Sequence, residues 1–411
     1  MDAILERCAG LDVHQETVVA CMLYGPLDVK PKKDTKTFGT TTKDLLLLFD
    51  WLTEHECTHV AMESTGVYWK PVWNILEGSF TLILANAQRI KNVPGRKTDV
   101  HDAAWIAQLL RCGLIDSSFV PPEDIRDLRD LTRYRRKLLG DATAEKNRIH
   151  KILQDANIKL TTYVSDVFGV SGRALVESLV NGEVLDPNQV KGLVKTKLKN
   201  KVPQLIDAMN GRIRMHHRTM IRMHLDHLLY LEKQLEELEQ EIYKQVKPHR
   251  EAIDLLITIP GIQMDAAASI LAEIGNDMSV FPSEAHLASW AGVSPGNNES
   301  AGKKKSTRTT KGNKGLKSVL CQAAWAASKS KNSRLAAYYY RLVKRRGPKK
   351  ANMALAHLML RIIHQMLSEK VPYQELGRDY LPTKQRNVDY WVKRIQEMGY
   401  AVQIQETETA S

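Results

Sequence analysis

Four carboxylates stand where acids need a reason. Asp12 interrupts an apolar run, between Leu11 and Val13 in Cys8-Ala9-Gly10-Leu11-Asp12-Val13. Burying an ionised carboxylate alone is costly, so an acid in such a place has a cation, a metal or a donor beside it. Glu63 ends a second apolar run, Thr58-His59-Val60-Ala61-Met62-Glu63, directly before Ser64-Thr65-Gly66, and strand ends are where sites form in α/β sheets. Asp99 and Asp102 are three apart in Lys97-Thr98-Asp99-Val100-His101-Asp102-Ala103, at the start of a predicted helix, so both project from one face. Each has an ordinary alternative: Thr98 as a cap, the two aspartates complementing a helix dipole, Glu63 as a turn residue. Together, two strand-borne acids and one helix-borne pair form the layout that a two-Mg²⁺ phosphoryl-transfer site requires. Hard divalent ions take oxygen ligands, and two of them stabilise both the attacking and the leaving oxygen at phosphorus.

The elements that must position these acids follow from the pattern around them. Residues 8–13 and 17–23 are rich in β-formers and are separated by His14-Gln15-Glu16, which predicts a hairpin at a sheet centre. A helix is expected over 42–54, with Thr42 as cap and Leu45, Leu46, Phe49 and Leu52 on one face. A strand over 58–63, a Trp-rich helix near 67–77, a strand over 81–85 and a helix ending near Arg111 complete an α/β domain. From about residue 123 the strands give way to one or two long charged helices, up to residue 157. Gly, Pro and Asn then break 160–215 into short helical pieces. Leu228, Leu231, Leu235, Leu238 and Ile242 recur at spacings of 3, 4, 3 and 4. That repeat fits a short coiled coil or helical hairpin, paired with the 123–157 helix or another subunit, and an ordinary amphipathic helix equally well. His216, His217, His224 and His227 lie nearby, but no Cys or acid at useful spacing completes a tetrahedral metal set, and the repeat assigns the region to packing. Ile259-Pro260-Gly261-Ile262 turns between two helical stretches, the second rich in alanine. It resembles a helix-hairpin-helix DNA-backbone motif, with Gln263 where a second glycine is usual, and backbone binding and simple packing are both open. The expected organisation is α/β plus α: a catalytic domain over 1–118, a helical coiled-coil and dimerisation region over 119–250, a third domain over 251–380 and a tail over 381–411.

Charge narrows the function class. The 411 residues hold 59 Lys and Arg against 47 Asp and Glu, a net +12. Between Ser300 and Ser368 there are 17 basic residues and no acid, so the other 342 residues carry a net −5. A mildly acidic body with one strongly basic segment points to a nucleic-acid partner. The apolar content, 43% of residues, excludes a disordered scaffold, and no run approaches a membrane span. The N-terminus lacks a signal-peptide layout, and five scattered cysteines suit reduced thiols, so a cytoplasmic protein is expected.

Gly-Leu-Asp-Val-His at 10–14, Met-Glu-Ser-Thr-Gly at 62–66 and Lys-Thr-Asp-Val-His-Asp-Ala at 97–103 resemble the signature of the DEDD insertion-sequence transposases. The N-terminal domain of that family is similar to the RuvC Holliday-junction resolvase, in the ribonuclease-H-like fold. The resemblance implies metal ligands at Asp12, Glu63, Asp99 and Asp102, holding Mg²⁺ or Mn²⁺. It also implies a C-terminal transposase domain carrying a nucleophilic serine. The matching stretch, Trp290 to Lys303, puts that serine at Ser300, although Glu299 and Ala301 depart from the usual pattern and leave Ser294 and Ser306 as weaker candidates. A serine ester with a DNA phosphate conserves the bond energy, so strands can be exchanged and resealed without ATP. The family further implies a structured noncoding RNA that pairs with target and donor DNA, two dimers assembled as a tetramer, and active sites that combine the carboxylates of one subunit with the serine of another. Two rivals are a metal-dependent junction nuclease without a covalent intermediate and a non-catalytic RNA- or DNA-binding protein.

The basic segment supplies the expected nucleic-acid contacts. Lys303, Lys304 and Lys305 follow the serine, and Arg308, Lys311, Lys314 and Lys317 lead into an Ala-rich helix expected over 316–328, a phosphate cradle ahead of a helix N-terminus. Arg341, Lys344, Arg345 and Arg346 follow Tyr338-Tyr339-Tyr340, and aromatics interleaved with charge suit stacking on unpaired bases.

Overall fold

In the computed structural model, residues 2–64, 66–85, 102–296, 298–300, 303–306, 308–380 and 388–402 are described. The chain divides into two compact units, Met1–Val120 and Pro121–Ser411.

The first unit is built on a five-stranded sheet. Its strands are β1 (Arg7–Val13), β2 (Thr17–Tyr24), β3 (Lys32–Gly39), β4 (His59–Glu63) and β5 (Thr81–Ala85), in the spatial order β3-β2-β1-β4-β5. The hairpin of β1 and β2 is antiparallel, and β4 and β5 join parallel to β1. Alternation along β1 sorts its side chains between two layers. Ala9, Leu11 and Val13 pack with Leu45, Leu48, Trp51 and Leu52 of helix α1 (Thr42–Glu54) and with Val72, Trp73 and Leu76 of α2 (Trp69–Leu76). Cys8 faces the other way, onto Ala103, Ile106, Ala107 and Leu110 of α3 (Asp102–Arg111). Two expectations need correction. The cap of α1 is Thr41, whose hydroxyl accepts the Asp44 amide, because Thr42 is already helical. The inner face of α1 is Leu45, Leu48, Trp51 and Leu52, while Leu46 is exposed. The edge strand β3 was not expected: only Phe38 of its residues is buried, so its sequence is nearly all solvent face, with lysines of the kind that guard sheet edges.

Among the described residues, the second unit is helical apart from one hairpin. A 33-residue helix, α4 (Glu123–Asp155), is followed by short pieces α5 (Val170–Asn181), α6 (Pro187–Leu193) and α7 (Val202–Met209), and then by the 31-residue α8 (Met215–Gln245). Ion pairs Arg135–Glu239, Glu145–His224 and Asp155–His217 show that α4 and α8 run antiparallel, with Leu228, Leu231, Leu235 and Ile242 buried between them and their neighbours. Beyond α8 come α9 (Arg250–Ile257), α10 (Met264–Ile274) and α11 (Glu284–Trp290). A hairpin of β6 (Asn298–Ser300) and β7 (Lys303–Ser306) precedes α12 (Lys314–Ala327), α13 (Arg334–Arg346), α14 (Pro348–Glu369) and α15 (Val388–Glu397). The turn at Gly261 is a packing device. Its φ is +87°, and a Cβ there would lie 2.5 Å from Ala323 O and Ala327 N, so the turn rests on the backbone of α12.

Candidate functional site

The register of the sheet brings the first two acids together. Leu11 is paired with Met62 on the parallel strands β1 and β4, so the next residues, Asp12 and Glu63, stand side by side at the C-terminal ends of their strands. Both fall on the α3 side of the sheet, with Gly10 on β1 and Ala61 on β4. The helix α3 runs antiparallel to β1. Its last residue, Arg111, accepts the Ile4 amide at 2.8 Å just before the strand begins, and Gly10 lies against Ala103 and Ala107. The first residue of α3, Asp102, is therefore carried to the strand end that holds Asp12 and Glu63. Gly10 makes this possible: a Cβ there would stand 2.3 Å from Ala103 O and from Ala107 N, so only glycine lets the helix lie directly on the strand.

All three acids are half-buried, and His14 Nε2 lies 3.2 Å from Asp12 Oδ2. Two carboxylates on adjacent rungs repel one another, and a divalent cation with oxygen ligands relieves that repulsion, so the donor set fits a hard metal ion. Asp99 lies outside the described residues.

Among the described residues, the one group of three potential metal ligands already within 4.8 Å of one another is elsewhere: Asp155, His216 and His217. Here the protein does bring an acid to the histidines, from the distant end of α4. Yet the Arg214 amide donates to His217 Nδ1 at 3.2 Å, and His217 Nε2 lies 2.8 Å from Asp155. A ring nitrogen that accepts an amide N–H leaves the proton of the neutral imidazole on the other nitrogen. Nε2 is thus the donor to Asp155 and has no lone pair for a metal; His217 caps α8. Unlike the exposed Asp155, Glu145 is a buried acid, bound by His224 Nδ1 at 2.6 Å, His227 Nδ1 at 3.0 Å and Arg148. Cysteine nucleophiles are unavailable at two positions, since burial pushes the Cys8 and Cys57 thiols up to about 12.

In the second unit, Ser300 ends β6 and is paired with Lys303, which starts β7. This pairing makes the segment a hairpin, extended at its base by an antiparallel bridge between Pro295 and Thr309. The Gly296 amide donates to Arg308 O at 2.9 Å and the Thr310 amide to Ser294 O at 3.3 Å. The side chains of Ser300, Lys303, Lys304, Lys305 and Ser306 lie outside what is described. The two ends of this segment are tied together: Asn313 N donates to Trp290 O, and Gly292 meets Gly312 backbone to backbone, with no space for a Cβ on either.

A residue that sequence reasoning missed holds that base. Glu273, 3% exposed at the end of α10, receives a two-pronged bond from Arg133, with both N···O distances 2.8 Å, and the Asn313 amide at 2.6 Å. Asn313 turns its own carbonyl to the Leu316 amide and so caps α12. Burial alone would raise the Glu273 carboxyl, but Arg133, Asn313 and Arg129 hold it below its ordinary 4.5. Its partners lie 140 and 40 residues away, so no local spacing could have marked it.

Of the expected phosphate ligands, Arg308, Lys311, Lys314, Arg341, Lys344, Arg345 and Arg346 are exposed, and Lys317 is half-buried with its ammonium 2.6 Å from Thr309 Oγ1. The tyrosine triplet divides. Tyr339 is 3% exposed and packs edge-on against Trp325, so it is core; Tyr340 is the exposed member. The helical period of α13 turns one of three consecutive residues inward, which excludes a three-ring stacking platform.

Residues 9–158 match the family model of DEDD transposases of the IS110 type, and residues 253–340 match that of the transposase IS116/IS110/IS902 family. The first match spans all four acids and the second spans the serine hairpin; together they cover more than half of the chain. No curated protein matches it. No helix among the described residues is long and apolar enough to cross a membrane. With both matches falling on the segments that carry the candidate chemistry, the chain belongs to the IS110/IS116/IS902 family of transposases and acts on DNA.

Proposed function

We propose that the protein is an RNA-guided DNA recombinase that moves an insertion sequence through a phosphoserine intermediate. The observation that carries this reading is the placement of Asp12 and Glu63 at adjacent strand ends, on the sheet face where α3 brings Asp102 to the same end. With Asp99, these residues would hold Mg²⁺ or Mn²⁺ in a ribonuclease-H-like domain, and a bound ion there supplies charge neutralisation at phosphorus. In the covalent step, Ser300 Oγ attacks a DNA phosphodiester, the Oγ–P bond forms as the P–O bond to a deoxyribose oxygen breaks, and the serine proton passes to that leaving oxygen. Resealing runs the same exchange backwards with a new strand end, so no high-energy cofactor is consumed. Lys303 beside Ser300, with Lys304 and Lys305, neutralises charge at the reacting phosphate.

Guidance by a structured RNA and assembly as two dimers come to this chain through its family resemblance. The basic segment supports the first, and the sharing of active sites between subunits rests on the resemblance alone. The test is a covalent adduct. Incubated with flanking DNA, Mg²⁺ and RNA co-purified from cells carrying the element, the wild-type protein forms a protein–DNA species resistant to denaturant, and Ser300→Ala and Asp12→Asn abolish it. Metal-dependent cleavage that survives Ser300→Ala establishes a hydrolytic nuclease instead. Activity unchanged in Asp12→Asn refutes the carboxylate site.

A further inference from the structure

A second basic surface lies outside the 300–368 segment. Residues 187–206 contain five lysines, Lys191, Lys195, Lys197, Lys199 and Lys201, and no Asp or Glu. All five are exposed, and among the described residues none of their ammonium groups has an ion-pair or hydrogen-bond partner. They are not on a loose tail. Val190, Val194, Val202 and Leu205, interleaved with them, are buried in the core that joins the short helices to α4 and α8. Lys197, Lys199 and Lys201 sit on a six-residue 3₁₀ segment (Thr196–Lys201), with Lys197 and Lys199 flanking Leu198, which packs on the same core. Thr196 holds a left-handed φ of +51°, a strained conformation for a β-branched residue at the start of this segment. The Lys195 amide is anchored to Ser171 Oγ at 3.0 Å.

Five uncompensated like charges on an ordered surface repel one another and attract a polyanion. We propose that this surface binds the phosphate backbone of double-stranded DNA away from the reacting site, as a second grip on the duplex. The duplex is favoured over a single strand because residues 186–222 contain no Phe, Tyr or Trp, and single strands are held by bases stacked on aromatic rings. Lysines without bidentate forks contact phosphates as point charges and read no sequence. The inference rests on the chain acting on DNA and on neither the serine nor the metal reading.

The test is the salt dependence of binding to a 60-base-pair duplex of arbitrary sequence, read by fluorescence anisotropy. Each phosphate contact contributes about 0.9 to the slope of log K against log salt. Lys195→Gln/Lys197→Gln/Lys199→Gln/Lys201→Gln should flatten the slope by about two to four and weaken binding at least tenfold at physiological salt. The corresponding Lys→Arg set should retain both slope and affinity, and unchanged circular dichroism separates a lost surface from a lost fold. An unaltered slope and affinity in the glutamine variant overturn the proposal. So does a loss confined to single-stranded RNA, which would assign the surface to that partner. If the wild-type chain fails to bind any duplex, DNA action itself is refuted, whereas a wild type that binds the duplex but forms no serine adduct sinks only the phosphoserine reading.

Discussion

Replacing Gly10 by alanine tests the central geometric claim, that α3 rests on the backbone of β1 and so carries Asp102 to Asp12 and Glu63. The added Cβ would lie 2.3 Å from Ala103 O and Ala107 N and 3.0 Å from Ala107 Cα. Carbon contacts with heavy atoms are comfortable near 3.5 Å, so the helix must lift by about 1 Å, because every close neighbour is backbone and none can rotate away. Overpacking of this kind costs about 1–3 kcal/mol, which lowers the melting temperature by roughly 4–12 °C for a unit of this size. The catalytic loss should be larger than the stability loss implies. A displacement of about 1 Å between groups that act together costs about 100-fold in rate, and the lift separates Asp102 from the two strand-borne acids. Differential scanning fluorimetry and metal-dependent strand cleavage, both on the full chain well below its melting transition, read the two effects separately. A Gly10→Ala protein that melts within 1 °C of wild type and cleaves within threefold of its rate would refute the packing of α3 on β1 and the site built on it.

Glu273→Ala leaves Arg129 and Arg133 without their shared carboxylate and should cost about 3 kcal/mol in urea unfolding, the low end for a broken buried pair, because the Arg133 side chain is 49% exposed and recovers water; a loss below 1 kcal/mol removes Glu273 from its place in the fold. Asn313→Asp keeps a cap for α12 but sets a second carboxylate against Glu273, so hydrogen exchange at the Gly296 and Thr310 amides should accelerate while helix content is unchanged, and unchanged exchange shows that the hairpin base does not depend on this link. The Glu273 carboxyl is held below its ordinary 4.5 in the folded chain, so the unfolded chain binds the proton more tightly. Its contribution is complete above about pH 5.5, weakens as pH falls through 4.5, and is lost below the folded value. The melting temperature of wild type should therefore fall more steeply than that of Glu273→Gln between pH 5.5 and 4, and parallel curves count against the carboxylate.

What was legible in the sequence was whatever is written in short-range pattern. The strands of the first unit show because β1, β2, β4 and β5 are central or parallel strands with apolar runs, and Asp12 stands out against that background. The edge strand β3 was missed because Phe38 is its single buried residue, and an edge facing water carries no apolar alternation. The heptad of α8 was visible, and its partner proved to be α4, with Arg135 bonded to Glu239 at 2.5 Å and to Asp265 at 2.6 Å. The Gly261 turn was ambiguous because glycine serves a phosphate and a neighbouring helix by the same means, the absence of a Cβ. Only the position of Ala323 and Ala327 decides between them. The hub at Glu273 joins α4, α10 and the start of α12, and no window of the sequence contains more than one of its members.

Net charge shows the same limit from another side. Outside 300–368 the chain sums to −5, and that sum conceals the five lysines of 187–206; without them the remaining 322 residues carry −10. A phosphate does not respond to the sum, because at physiological salt charges beyond about 8–10 Å are screened. It responds to what is uncompensated nearby. In the helical unit several acids are occupied internally: Glu239 and Asp265 by Arg135, Glu232 by Arg173, Glu145 by Arg148 and two histidines, Glu273 by Arg129 and Arg133. Those pairs cancel at contact distance and project little field. Between Asp186 and Asp207 five lysines stand without an acid, and residues 300–368 contain none at all, so the local field at these segments is more positive than a body with a net −5 implies. The half-buried acids at the sheet end are the local exception, a concentration of negative charge in a protein that acts on a polyanion, and on the proposed reading a divalent cation held by them would offset that charge.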